Sequence, residues 1–244
     1  MRALRSECYK IRHTWLPWVH LALPVVYALL FFVAARETAL ARFDDIERAE
    51  SYLTLLSGVL PIAIGAVTAK ATEMEREAGN FQALLSLTRS RAKIYMGKFV
   101  ALLIGALVAI GLAVALFAAL SGGQTPAEWA IGAAFVLSGS IAIYAIHMWT
   151  AARFGGGASL GLGFVETLIA FLSQTGLGDG AWYYFPAAWP IRLSATYVLR
   201  DSLGAEYVGG EFLTWALVAV PMSACLIAVS LVWFARWDGT SDGE

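Results

Sequence analysis

Charge is scarce in this chain. Of its 244 residues only 14% are Asp, Glu, Lys or Arg, while 59% are hydrophobic. A water-soluble domain of this length covers its surface with far more charge, so a soluble globular fold is excluded. The formal net charge of −1 offers no basic surface for nucleic acid. Cysteine is nearly absent: Cys8 and Cys225 lie at opposite ends of the chain. Their spacing fits no metal or redox motif, and a disulfide between them is not expected. The three histidines, His13, His20 and His147, are scattered and read as polar helix residues rather than metal ligands. No strand-like alternation occurs, which rules out a membrane β-barrel. A phosphate-binding G-x-x-x-x-G-K-[ST] loop is also missing. The nearest glycine run, GGGASLGLG at 155–163, lacks the lysine and lies in an apolar stretch. No catalytic residue and no bound cofactor or metal is therefore assigned to this chain.

What is present is a set of long apolar runs, as the mean hydropathy of +0.67 indicates. Crossing a hydrocarbon core takes about 20 apolar residues. Six segments qualify, roughly Trp15–Ala35, Tyr52–Ala69, Phe99–Leu120, Trp129–Ala152, Ala158–Thr175 and Phe212–Ala235. The first is too long for a signal-peptide core, which runs about 7–15 residues, and is expected to stay uncleaved. The fifth carries Glu166 and opens in the glycine run, so its limits are the softest. The reading is one all-α integral membrane domain over 1–244, with six transmembrane helices.

Basic residues orient it. Twelve of the seventeen Lys and Arg, including Arg2, Arg5, Lys10 and Arg12 and the Lys70–Lys98 group, fall on one side of this plan, and five on the other. The positive-inside bias places both termini and the connector 73–98 in the cytoplasm. Along residues 1–14 and into the first span, Leu4, Cys8, Ile11 and Trp15 fall at helical spacing with bases on other faces. That pattern fits an amphipathic helix lying in the inner-leaflet interface, or a basic topology anchor alone.

The connector reads EMEREAGNFQALLSLTRSRAKIYMGK. Glu73, Glu75 and Glu77 extend the second span into water, Gly79-Asn80 breaks the helix, and Asn80 is placed to cap a short new one. That helix puts Phe81, Leu84 and Leu85 on one face, and Ser90 is placed to cap the helix of the third span. A connector with only a topological role needs charge but no apolar face. The face points to a docking partner, with an ordinary charged hairpin as the alternative.

The pattern E-x-E-x-x-A-G-N-F-x-x-L-L followed by S-R-x-x-x-Y-x-x-K resembles the intracellular connector of ABC-2-type exporter permeases. The start, with Glu7-Cys8-Tyr9-Lys10-Ile11-Arg12 and the step from His20 to Pro24, is similar to the lantibiotic-protection (bacteriocin immunity) permeases of that group. The resemblance implies that the connector forms a cytoplasmic coupling helix against two separate ATPase subunits, which bind ATP and Mg. Glu75, Glu77, Asn80, Phe81, Leu84, Leu85, Arg89 and Arg91 would then be the ATPase-coupling residues. It further implies a second permease, identical or similar, a bacterial plasma-membrane location, and export of an amphipathic peptide antibiotic from the bilayer. Export of another hydrophobic drug or lipid, or a non-transporting scaffold or sensor subunit, are the alternatives. A secondary transporter is disfavoured, since no internal repeat is evident and Glu166 is the one acid inside a span.

Glu166 must meet a partner or a wet cavity, because a carboxylate at mid-membrane costs about 2.5–3.5 kcal/mol. It is either a substrate-path or gating residue or a structural pair. A G-x-x-x-G step at Gly157 and Gly161 is expected to let helices approach closely. The outer segment 176–211 contains Trp182, Tyr183, Tyr184, Phe185 and Trp189 between proline breaks. It fits either an aromatic belt at the headgroups or short re-entrant helices closing the outer mouth. Trp182, Tyr184 and Trp189 are the gate candidates there.

Overall fold

The computed structural model describes residues 2–77 and 90–237, and every regular element among them is helical. Helix α1 (Arg2–Arg12) leads into α2 (Leu16–Glu37) and a 3-10 turn (Ala39–Arg42). The long helices α3 (Asp45–Glu77), α4 (Arg91–Ser121) and α5 (Pro126–Phe154) follow. After α6 (Gly156–Leu172) come two 3-10 turns (Trp182–Tyr184 and Pro186–Ala188), then α7 (Trp189–Val198), the short α8 (Arg200–Leu203) and α9 (Ala205–Arg236).

Five of these, α2, α3, α4, α5 and α9, are long and apolar enough to cross a bilayer. Helix α6 has 17 residues. At 1.5 Å per residue it reaches about 26 Å, short of a hydrocarbon core of about 30 Å. It begins two residues before the expected fifth span and ends three before it. Its start is set by Gly155, whose φ of +89° breaks α5 from α6 in a single residue.

Local chemistry also corrects other ends. The second span is expected from Tyr52, yet the acidic stretch before it, Asp45–Glu50, is already helical. Asp44 Oδ1 accepts from Glu47 N at 2.8 Å and Glu47 Oε2 from Asp44 N at 2.9 Å, a reciprocal cap that starts the helix early. Helix α9 likewise begins at Ala205, seven residues ahead of the expected Phe212. Ser90 does take the N-cap position of α4, but its side chain makes no capping bond.

Helix α3 is the centre of the bundle, packed on α5, α6 and α7, while α2 lies mainly against α4. The α3–α6 contact is a seam of small residues. A Cβ at Gly163 would sit 2.6 Å from Pro61 O, one at Gly65 2.8 Å from Ser159 O, and one at Gly58 2.5 Å from the Phe171 ring. The expected step at Gly157 and Gly161 is not the seam; a Cβ at either would meet open space. Helical phase explains the shift: Ser159, Gly163, Glu166 and Ala170 form the buried stripe of α6, and 157 and 161 fall outside it. Gly163→Ala is therefore expected to cost about 1–3 kcal/mol by overpacking, and Gly161→Ala less than about 0.5 kcal/mol. Thermal unfolding of the two variants in detergent measures the difference.

Toward the end of the bundle away from the termini, Tyr52 stacks on Phe117 with centroids 4.0 Å apart, and Phe31 and Trp129 meet them edge-on. The Tyr52 hydroxyl donates to Ala113 O at 2.7 Å, so this buried ring has its polar tip satisfied. Trp182 and Trp189 are 2% and 1% exposed and pack with Ala142, Leu193 and Ala219. They are core residues rather than a surface belt, whereas Tyr184 is exposed. Proline spacing accounts for this, since the two turns fold the segment back and Gly139 admits the Trp189–Pro190 backbone against α5.

Candidate functional site

Where α1 meets the bases of α3 and α4, four charged side chains converge. The buried stripe of α3, through Ile64, Val67, Thr68, Ala71 and Thr72, continues to Glu75 and turns that carboxylate inward. Glu75 Oε1 accepts from Lys10 Nζ at 2.6 Å and from Lys98 Nζ at 3.1 Å. Lys10 also donates to Glu7 Oε1 at 2.7 Å, and Lys98 to Ala71 O at 2.7 Å. Glu7, Glu75 and Lys98 are all buried, and two acids against two bases leave the cluster neutral. Buried charges persist when paired and hydrogen-bonded in this way.

Burial acts to raise the pKa of Glu75, but the attraction of Lys98 and the hydrogen bond and charge of Lys10 outweigh it and hold the carboxyl below its usual 4.5. Burial acts to lower the pKa of Lys10, and Glu7 and Glu75 reverse that and lift it above 10.5. A lowered acid contributes stability that is present above its unfolded value and is lost as pH falls through the folded one. A raised base contributes stability that is present below its unfolded value and is lost as pH climbs through the folded one. The contributions of Glu75 and Lys10 are thus both present between about pH 4.5 and 10.5. Acid unfolding below about pH 4.5 is expected to include a Glu75 component. In Glu75→Gln, the slope of melting temperature against pH in that range should flatten.

A second buried polar chain joins α3, α5 and α6. Glu166 Oε2 lies 2.9 Å from His147 Nε2, and His147 Nδ1 lies 2.8 Å from Ser159 Oγ. Ser159 Oγ is in turn 3.0 Å from Thr68 Oγ1, which donates to Ile64 O at 2.8 Å. His147, Ser159 and Thr68 are fully buried, and Glu166 is 7% exposed. The Ser–His–Glu order resembles a nucleophile relay. Its serine, however, is sealed inside three helices, with no room for a substrate carbonyl, so the chain holds helices together rather than performing acyl transfer.

Residues 3–175 match the profile described as ABC-2 family transporter protein. The chain belongs to the ABC-2 transporter family. It is accordingly a membrane protein and a membrane transport component. No curated protein sequence matches it.

The matched region of this ABC-2 chain takes in both polar networks, and the Trp182–Trp189 segment lies beyond it. Of the residues expected at the coupling site, Asn80, Phe81, Leu84, Leu85 and Arg89 lie outside the described residues. Glu75 and Glu77 part company. Glu75 is inside the bundle, and Glu77 is exposed, 3.8 Å from Lys70. Arg91 donates to Trp237 O and so ties α4 to the end of α9. Of the gate candidates, Glu166 is brought to His147, Trp189 donates from Nε1 to Tyr183 O at 3.0 Å, and Tyr184 stands apart at the surface. Sequence reasoning missed Glu7, Lys10, Lys98 and His147. The signal for Glu75 was there, because it falls in phase with the apolar face of α3. Among the described residues no group of three or more His, Cys, Asp or Glu is placed to hold a metal ion.

Proposed function

We propose that this ABC-2 chain is the permease subunit of an ABC exporter that lifts an amphipathic peptide antibiotic out of the bacterial plasma membrane. In this reading α2, α3, α4, α5, α6 and α9 are its six spans, with both termini in the cytoplasm and α1 in the inner-leaflet interface. Two ATPase subunits, which carry ATP and Mg, dock on the connector between α3 and α4. A second permease, identical or similar, completes the path. Closure of the ATPases tilts α3 and α4, and the bundle alternates between two arrangements. Glu166, Trp182, Tyr184 and Trp189 are the residues assigned to the path and its outer gate.

The observation that carries the coupling part is the Glu7–Lys10–Glu75–Lys98 cluster. The two helices that flank the connector are locked to each other and to α1 at its base, so a displacement there enters three helices together. Support for the peptide substrate rests on the resemblance of the first hundred residues to lantibiotic-protection permeases.

The test is purification of the chain with its natural partners, comparing wild type with Leu84→Asp. A carboxylate placed in a desolvated groove costs more than the roughly 2–7 kcal/mol of a neutral polar group, whereas on a solvated face it costs less than about 0.5 kcal/mol. Loss of a co-purifying ATPase and of peptide-stimulated ATP hydrolysis in the variant is expected. Retention of both at wild-type level in a correctly inserted protein removes the coupling assignment. An ATPase that co-purifies but ignores peptide removes the substrate assignment alone.

A further inference from the structure

The bundle does not close fully between α2 and α3. These helices touch at few points, among them the Tyr27 hydroxyl donating to Tyr52 O at 2.6 Å. Behind the gap lies a cavity of about 160 Å³, floored by α4 and α5, with Leu23, Leu60, Ala63 and Ile110 among its walls. A dry cavity of about 150 Å³ admits benzene. No charged residue lines this one, and its polar side chains are four: His20, Tyr27, Ser140 and Tyr144. Two of them are occupied. Tyr27 bonds Tyr52 O as above, and Ser140 donates to Leu137 O at 2.8 Å.

The other two are not. Tyr144 is 4% exposed, and its hydroxyl makes no hydrogen bond among the described residues. Buried tyrosine hydroxyls ordinarily find a partner. His20 is also buried, and its Nδ1 lies 2.7 Å from Leu16 O. A carbonyl only accepts, so Nδ1 is the donor; an uncharged ring then has Nε2 as an acceptor, which lies beside Gly105 with no partner among the described residues.

We propose that this cavity binds a neutral, apolar molecule of single-ring size that carries one hydroxyl. A hydroxyl can both accept and donate, so it fits either of the two unpaired groups, accepting from Tyr144 or donating to His20 Nε2. A carbonyl serves only the tyrosine, and an ion would be desolvated with no counter-charge in the wall. The opening is flanked by helices that are apolar enough to lie in a bilayer, and Leu23 at its edge is 53% exposed, so the ligand enters from hydrocarbon. The site is independent of the export reading.

The probes are 4-fluorophenol and fluorobenzene, followed by fluorine NMR on the purified full chain in detergent, with excess unlabelled phenol separating saturable binding from partition into micelles. Wild type is expected to bind both saturably, the phenol roughly tenfold more tightly, as one buried hydrogen bond allows. Tyr144→Phe should keep fluorobenzene binding and lose the preference. Ala109→Phe and, separately, Ala63→Leu should fill the space and remove saturable binding of both probes; if the first does not fold, the second decides. Absence of displaceable binding in wild type, or undiminished binding in a folded filled variant, overturns the site. Equal affinity for the two probes, or a preference that survives Tyr144→Phe, overturns the hydroxyl assignment.

Discussion

His147→Leu is expected to destabilise the bundle by about 2–4 kcal/mol, the cost of leaving a buried carboxyl without its partner. In the native protein Glu166 meets the imidazole at 2.9 Å from a position 7% exposed. The decisive comparison is the double variant. Replacing both members of a buried polar pair by apolar groups is often close to neutral, so His147→Leu with Glu166→Leu should recover most of the lost stability. Thermal unfolding in detergent of the two single variants and the double variant gives the coupling directly. Simple addition of the two losses would show that the 2.9 Å contact contributes nothing.

The second large effect is expected at the base of the connector. Glu75→Gln removes the charge that Lys10 and Lys98 share, leaving two ammonium groups to one remaining carboxylate, Glu7. Breaking a buried ion pair from one side costs about 3–5 kcal/mol. Glu77→Gln, two residues on, is the control. Its side chain is 63% exposed and 3.8 Å from Lys70, so its loss should cost less than about 1 kcal/mol. Because Lys10 is on α1, the damage should be visible there: tryptic cleavage at the exposed Arg12 should accelerate in Glu75→Gln and stay unchanged in Glu77→Gln. Unchanged cleavage in both would mean that α1 is held by something other than the cluster.

The long helices were legible because each is a run of apolar residues longer than any soluble helix needs. Their ends were less so. Asp44 and Glu47 form a reciprocal cap that only the folded chain displays as one, and the polar residues 45–50 lie ahead of the apolar run that marks the span. Pairings between helices were the hardest to read. Glu75 and Lys10 are 65 residues apart, and nothing local marks them as partners. His147 and Glu166 are 19 apart, and they meet because a single residue, Gly155, turns α6 back along α5. An acid inside an apolar run announces that it needs a partner; which residue answers is decided by helix rotation. The same rotation moved the small-residue seam from Gly157 and Gly161 to Ser159 and Gly163. The proline-bounded turns, by contrast, buried Trp182 and Trp189, whose composition suited a headgroup belt equally well.

Helix α3 has 33 residues and is about 50 Å long, with Pro61 at its midpoint. Proline has no N–H to give, so the carbonyl of Ser57 loses its helical donor there and the rod is weakest at its middle. That same point is gripped from outside, where Gly163 lets α6 press against Pro61 O. The arrangement is a lever with equal arms of about 24 Å and a gripped fulcrum. A tilt of about 5° would carry the Glu75 end some 2 Å one way and the Asp45 end about 2 Å the other. Motion delivered at the charged base is then divided at Pro61: the bend there absorbs one part, and the rest arrives at the far mouth with its direction reversed.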